Sequence, residues 1–160
     1  MPKAYLETTI VSYLAAQPSR DLIVSANQQI TREWWEGRRR QFDVYISRLV
    51  VEECSGGDAD AARRRMAIIA DLPSLKVTDR VAALASALVR EKAIPRSSSA
   101  DALHIAVAAV HGIEYLLTWN MAHILNAELR PRIEATCRQE GFEPPVLCTP
   151  AELMGGPDVA

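Results

Sequence analysis

Three carboxylic acids and one amide, Glu7, Glu53, Asp101 and Asn120, each fall just after an apolar run or in the first turns of a helical pattern near one. Hard divalent cations such as Mg²⁺ and Mn²⁺ prefer carboxylate and carboxamide oxygens and keep several waters, so this donor set suits either of them better than zinc. A bound cation would also offset the mutual repulsion of the carboxylates. The chemistry such a set supports is activation of a water and stabilisation of the charge developing on a scissile phosphodiester, with one or two ions. Each residue also has a plainer reading, since a lone strand-end glutamate such as Glu7 is ordinarily just solvated. Glu52 and Glu53 point about 100° apart on a helix, so at most one of them looks into a shared cleft, and spacing alone does not choose.

Around these four stand weaker candidates. The hydroxyls of Thr8 and Thr118 are placed to orient carboxylates or metal-bound water. His104 lies three residues after Asp101 and on nearly the same helix face, but a lone histidine in an apolar helix is more often a packed, hydrogen-bonded core residue. His123 and Asn126 flank the same region, where they would contact a substrate phosphate or tie down the loop.

The elements that must position these groups centre on Ser97 to Asn126, SSSADALHIAVAAVHGIEYLLTWNMAHILN. Ser97, Ser98 or Ser99 suits a helix cap, and Asp101 in the first turn suits the positive end of the helix dipole. The residues that follow are apolar almost all round, as a helix packed on a sheet requires. Gly112 ends it, and Tyr115 to Leu117 is a short apolar strand with polar Thr118, Trp119 and Asn120 at its tip. Ligands of open α/β sheets bind outside the carboxyl ends of strands, which is where Asn120 falls.

The same pattern recurs earlier. Ala4 to Leu6 reads as a strand ending at Glu7, with Thr8 or Thr9 capping a helix over Ile10 to Ala16. Asp21 opens a helix in which Leu22, Ile23, Ala26, Ile30 and Trp34 recur at helical spacing, and its basic end, Arg38 to Arg40, reads either as phosphate-binding or as satisfying the helix dipole. Phe42 to Ile46 is a second strand, after which Ser47 caps the helix RLVVEEC. Asp58 opens a helix whose Arg63, Arg64 and Arg65 read as a solvated face, Leu75 to Val77 is a third strand, and Asp79 caps the helix before Pro95. A short turn covers Ala122 to Leu125, Pro131 starts the helix Arg132 to Glu140, and Val146 to Cys148 is a last, edge strand before a turn at Ala151 to Met154. Alternating strands and helices make this an α/β chain, a three-layer α/β/α sandwich with a mostly parallel central sheet. One domain over residues 1–154 is expected, with a loose tail at 155–160.

Composition narrows the function. The 160 residues are 49% hydrophobic and 24% charged, ordinary for a globular chain. Three widely spaced cysteines without a C-x-x-C pair indicate neither a disulfide framework nor a zinc knuckle and fit a reducing cytoplasm. The segment MPKAYLETT lacks a signal-peptide core and no apolar run has membrane-spanning length, so a soluble, cytoplasmic chain without a membrane partner is expected. A net charge of −2 gives no general steering towards nucleic acid, so an RNA role must rest on local basic patches or bound metal. No G-x-G-x-x-G or P-loop signature supports a nucleotide-binding alternative.

The pieces YLETTIVSYL, ISRLVVEEC, SADALHIAVAA and LLTWNMAHILN, taken in order, resemble the PIN-domain family, and within it the VapC-like toxin ribonucleases of toxin–antitoxin pairs. The resemblance covers nearly the whole chain. It implies catalytic, metal-ligating positions at Glu7, Glu53, Asp101 and Asn120, with Glu53 favoured over Glu52 because it lies six residues after Ser47. It also implies a Mg²⁺- or Mn²⁺-dependent endoribonuclease with an RNA substrate, a small cognate antitoxin and a homodimer. Two positions depart from the family pattern, which usually has Asp at position 7 and an acid at position 120. Glu7 keeps the charge on a longer arm, whereas Asn120 removes one, which would weaken metal affinity or change the coordination. The alternative is therefore a catalytically weakened PIN-like module that binds RNA or protein.

Overall fold

The computed structural model describes residues 1–156, and its centre is a five-stranded sheet in the order β3-β2-β1-β4-β5 with every pairing parallel. The strands are β1 (Lys3–Leu6), β2 (Asp43–Ser47), β3 (Ser74–Leu75), β4 (Tyr115–Leu117) and β5 (Val146–Cys148). Seven α-helices among the described residues surround them: α1 (Thr8–Ala15), α2 (Leu22–Gly37), α3 (Arg48–Cys54), α4 (Ala59–Ile69), α5 (Asp79–Arg90), α6 (Ser99–Val110) and α7 (Arg130–Gln139). α1 packs with α2, α3 and α4, while α5 packs with α6 and α7, giving the expected α/β/α layers. The expected tail falls partly on residues 157–160, which lie outside the described residues. Among the described residues no helix is long and apolar enough to cross a membrane.

β1 is covered on both faces, as a central parallel strand must be: Ala4, Tyr5 and Leu6 are fully buried, and the one polar group among them, the Tyr5 hydroxyl, has buried hydrogen-bond partners. Tyr5 pairs in register with Tyr45 of β2 and Leu116 of β4. The chain runs outward from β1 through β2 to β3, then returns to lay β4 against the other side of β1. The direction of winding therefore reverses between β1 and β4, and the crevice outside their carboxyl ends is the topological switch point where open α/β sheets bind ligands. α6 carries seven buried residues out of twelve, in keeping with its apolar circumference.

Several local expectations are corrected. Neither Thr8 nor Thr9 caps α1; Glu7 holds that position without a side-chain cap bond, and both threonine hydroxyls go to carboxylates instead. Each hydroxyl donates its hydrogen to an ionised acceptor, a charge-assisted bond stronger than a neutral one, and Thr9 Oγ1 gives its lone pair to the Trp119 N–H and not to α1. Likewise Ser98 sits at the head of α6 without a side-chain cap bond, after a 3-10 turn over Arg96–Ser98. Thr78 rather than Asp79 caps α5, leaving Asp79 in the first turn, where its charge suits the dipole. Leu22 and Ile23 are 86% and 74% exposed, and α2 buries Gln28, Thr31 and Trp34 instead. Gln28 is tolerated inside because its amide receives the Ser19 N–H and donates to the Gln17 carbonyl. β3 is shorter than expected and shifted to Ser74–Leu75. Arg64 and Arg65 are more than a solvated face: they donate to the carbonyls of Ala15, Cys54 and Gly56, bracing α4 against α1 and the end of α3.

Candidate active site

Glu7 is the residue after β1, and its N–H still bonds the Leu117 carbonyl of β4 at 3.0 Å, so the ladder across the switch point fixes where its side chain starts. The residue is only 5% exposed. Its Oε1 accepts from the hydroxyls of Thr9 (2.5 Å) and Thr118 (2.6 Å), which makes a buried carboxylate tolerable. Thr118 Oγ1 in turn accepts from the Asn120 N–H, and Thr9 Oγ1 from the Trp119 N–H, so the tips of β1 and β4 are laced together. Beside them Trp119 stacks on Tyr13, its indole N–H donating to Thr31.

Glu53 reaches the same region from the last turn of α3, which rises from β2 with Ser47 as its cap. Its Oε1 accepts from Thr8 Oγ1 at 2.6 Å and pairs with His104 Nε2 at 2.7 Å. Partial burial alone would raise its pKa, but the hydrogen bonds it accepts from His104 and Thr8 hold it below the usual 4.5. Glu52, the neighbour that spacing could not separate from it, turns to solvent and pairs with Arg48.

Asp101, in the first turn of α6, holds His123 Nδ1 through Oδ2 at 2.8 Å. Asn120 Oδ1 accepts the N–H of the same His123 at 3.1 Å, so it caps the turn that carries the histidine. Asn126 is occupied in the loop itself, donating to the Ala122 carbonyl and accepting from the Glu128 N–H. Since Thr8 follows Glu7 directly, the four predicted ligands join one string of contacts: Glu53 to Thr8, Glu7 to Thr118, Thr118 to Asn120, and Asn120 through His123 to Asp101.

The electrostatics of this string are one-sided. Among the described residues no Lys or Arg pairs with Glu7, Glu53 or Asp101; their partners are threonine hydroxyls and two histidines. In each acid the bonds gather on one oxygen, leaving Glu7 Oε2, Glu53 Oε2 and Asp101 Oδ1 without a hydrogen-bond partner among the described residues. No three His, Cys, Asp or Glu side chains among the described residues are close enough as they stand to form a chelating cage. A hard cation that keeps several waters and takes one or two direct carboxylates does not need such a cage, so the donor chemistry fits Mg²⁺ or Mn²⁺. The cysteines stay outside this chemistry: burial pushes the thiols of Cys54 and Cys137 up to about 11 and that of Cys148 to about 12. A groove of about 900 Å³ beside α5 and α6, floored by Ala85, Val89 and Leu103, contains none of the string.

A family model described as the PIN domain matches residues 4–120, well over half of the chain. The chain belongs to the PIN-domain family. The matched span begins in β1 and ends at Asn120, so it takes in all four predicted ligands. The PIN domain is a nuclease fold, and PIN nucleases generally use divalent metal ions and bind RNA. No curated protein and no solved structure matches the chain significantly.

Four members of the network escape a reading by residue type, wholly or in part. Thr9 binds Glu7 as closely as Thr118 does, but its sequence position suggested a helix cap. Tyr5 stands in a strand that reads as plain core and Ser47 reads as a helix cap, which it is, yet Tyr5 Oη lies 2.8 Å from Ser47 Oγ and 2.7 Å from His104 Nδ1. His104 is 1% exposed, so the core reading describes its burial, but not the carboxylate on its other nitrogen. The one available signal was a polar hydroxyl and an imidazole placed in segments otherwise apolar.

Proposed function

We propose that the chain is a metal-dependent endoribonuclease and the toxin of a VapC-like toxin–antitoxin pair. The observation that carries this reading is the string of contacts at the switch point, where, among the described residues, three carboxylates each keep a free oxygen and none is neutralised by Lys or Arg. Glu7, Glu53 and Asp101 would hold the cation through those oxygens, one or two of them directly and the rest through its waters, with Asn120 offering the remaining lone pair of its side-chain carbonyl. A divalent cation, when bound, supplies activation of a water and neutralisation of charge at the scissile phosphodiester. Thr118 and Thr9 keep Glu7 from rotating, and Thr8 does the same for Glu53. RNA is the substrate, a small cognate antitoxin the inhibitor, and a homodimer the working form.

The test is cleavage of a mixed panel of structured RNAs by purified protein with Mg²⁺ or Mn²⁺ and with chelator, beside Asp101→Asn. Metal-dependent cutting that the variant lacks is the expected result. Uncut RNA in every lane, with wild type and variant alike, would sink the nuclease reading. The toxin role is checked separately, by growth arrest on induction that Asp101→Asn relieves. A second reading, a PIN module that binds RNA or protein with weakened catalysis, is favoured by one observation: the Asn120 carbonyl already accepts the His123 N–H, so this position offers less to a metal than an acid would.

A further inference from the structure

We infer that His104 is a positioning residue for Glu53, held by a buried chain from Ser47 through Tyr5 so that Glu53 presents Oε2, and not Oε1, to the cation. The inference rests on the metal-nuclease reading above and assigns a task to three residues that reading does not use. The geometry is a row of close contacts through the core: Val50 N–H to Ser47 Oγ at 3.4 Å, Ser47 Oγ to Tyr5 Oη at 2.8 Å, Tyr5 Oη to His104 Nδ1 at 2.7 Å, and His104 Nε2 to Glu53 Oε1 at 2.7 Å. Ser47 and His104 are buried to 0% and 1% exposure and Tyr5 to 0%, so no water competes for these groups.

The chain has a direction. A carboxylate only accepts, so His104 Nε2 carries the hydrogen in the bond to Glu53. With that hydrogen on Nε2 of a neutral imidazole, Nδ1 is bare and accepts the Tyr5 hydroxyl, so Tyr5 Oη in turn accepts from Ser47 Oγ, which itself accepts the Val50 N–H. Each donor has one acceptor, and the row ends on Glu53 Oε1.

What this does follows from where Glu53 stands. Its side chain is 35% exposed at the end of a seven-residue helix, and a long flexible carboxylate there has many rotamers to lose on binding an ion. The imidazole, clamped at its far nitrogen by a tyrosine of the central strand, removes that freedom before the cation arrives. Thr8 reinforces the same oxygen, so both constraints leave Oε2 free. Ligand-orienting partners of this kind typically change metal affinity by about 10- to 100-fold when removed.

The test titrates Mn²⁺ alone into wild type, His104→Gln, His104→Asn and Tyr5→Phe, reading the free ion by electron paramagnetic resonance and the fold by circular dichroism. A glutamine amide reaches the place of Nε2 and still donates to Glu53, whereas an asparagine amide reaches only the place of Nδ1. The expected result is a loss of about 10- to 100-fold in Mn²⁺ affinity for His104→Asn and a much smaller loss for His104→Gln. Tyr5→Phe, which keeps the shape and removes one hydroxyl, is expected to lose several-fold. Equal affinities in the Gln and Asn variants, or no change in Tyr5→Phe, would overturn the inference, since a merely structural imidazole predicts both. Nitrogen NMR on metal-free wild type supplies a readout independent of the ion, with hydrogen expected on Nε2 and a bare Nδ1; the opposite tautomer also overturns it. A wild type with that tautomer that binds no Mn²⁺ would mark the failure of the nuclease reading instead, and would remove the role assigned to His104 with it.

Discussion

At the carboxyl ends of β1 and β4, and on α3 where it leaves β2, acids are gathered and left without a cationic partner among the described residues, while at the amino end of β2 three arginines are gathered and two of them, Arg38 and Arg39, are fitted into packing. The second region is Arg38 to Arg40, a turn just before β2 begins at Asp43, opposite Lys3 of β1. Arg38 donates to the Leu153 carbonyl and to Gln41 and lies over the Phe42 ring, and Arg39 stacks on Trp35 at 3.9 Å. These arginines seal an edge of the fold, at the far end of the sheet from Glu7 and Asn120, so they are remote from any phosphate held there. The chain has 18 Lys and Arg, and its surface acids Glu52, Asp60 and Glu140 find some of them, yet Glu7, Glu53 and Asp101 find none among the described residues. Burying carboxylates without a counter-charge costs stability, and a fold bears that cost where a cation is to be bound. Charge alone therefore does not set the proposed functional end of this sheet apart; unneutralised charge with free oxygens does.

The comparison breaks most visibly if an acid of the carboxyl end is removed. Asp101→Asn is expected to lower cleavage of RNA by more than about 100-fold, beyond what losing a supporting partner typically costs, with the circular dichroism spectrum unchanged. A milder cut is Thr118→Val, which takes one of two hydroxyls from buried Glu7: Mn²⁺ affinity is expected to fall about 10-fold, and urea unfolding to show a loss of about 1–3 kcal/mol.

Acid titration sharpens the same contrast. The Glu53 carboxyl is held below its usual 4.5, so the folded chain gives up this proton more readily than the unfolded chain does. Its contribution to stability is full above the unfolded value and is lost as pH falls through the lower folded value. The melting temperature of wild type is thus expected to drop more steeply below pH 4.5 than that of Glu53→Gln; parallel curves would contradict the bond network around this acid. The smallest effect belongs to the amino end. Arg39→Ala is expected to cost about 0.5–1 kcal/mol through its lost stacking on Trp35, with RNA cleavage and Mn²⁺ binding unchanged. A loss of cleavage there would erase the distinction between the two ends.

The architecture was legible because its strongest signals are local. The apolar runs Ala4 to Leu6 and Tyr115 to Leu117 became the central strands, and the near-continuous apolar circumference of Asp101 to Val110 became the buried helix α6. Helix starts were less legible where a hydroxyl had a better partner elsewhere: Thr8 and Thr9 look like caps until carboxylates from other elements are in reach. The exposed Leu22 and Ile23 misled for a related reason, since helical periodicity locates a face but not what packs on it. At the site, residue types and order pointed to Glu7, Asp101, Asn120 and one of Glu52 and Glu53, and the family resemblance favoured Glu53. Their wiring was not readable, because Tyr5, Ser47, His104 and Glu53 meet across separations of 42 to 99 residues that only the sheet order brings together.

The most direct test of the central claim is a Mn²⁺ titration of the metal-free protein beside Glu7→Gln, Glu53→Gln and Asp101→Asn, with Arg39→Ala as the control. Saturable binding by wild type and Arg39→Ala that weakens sharply in each acid variant is the result predicted for a cation site at the carboxyl ends of the strands. Binding that is absent from wild type, or that survives undiminished in all three acid variants, would contradict it.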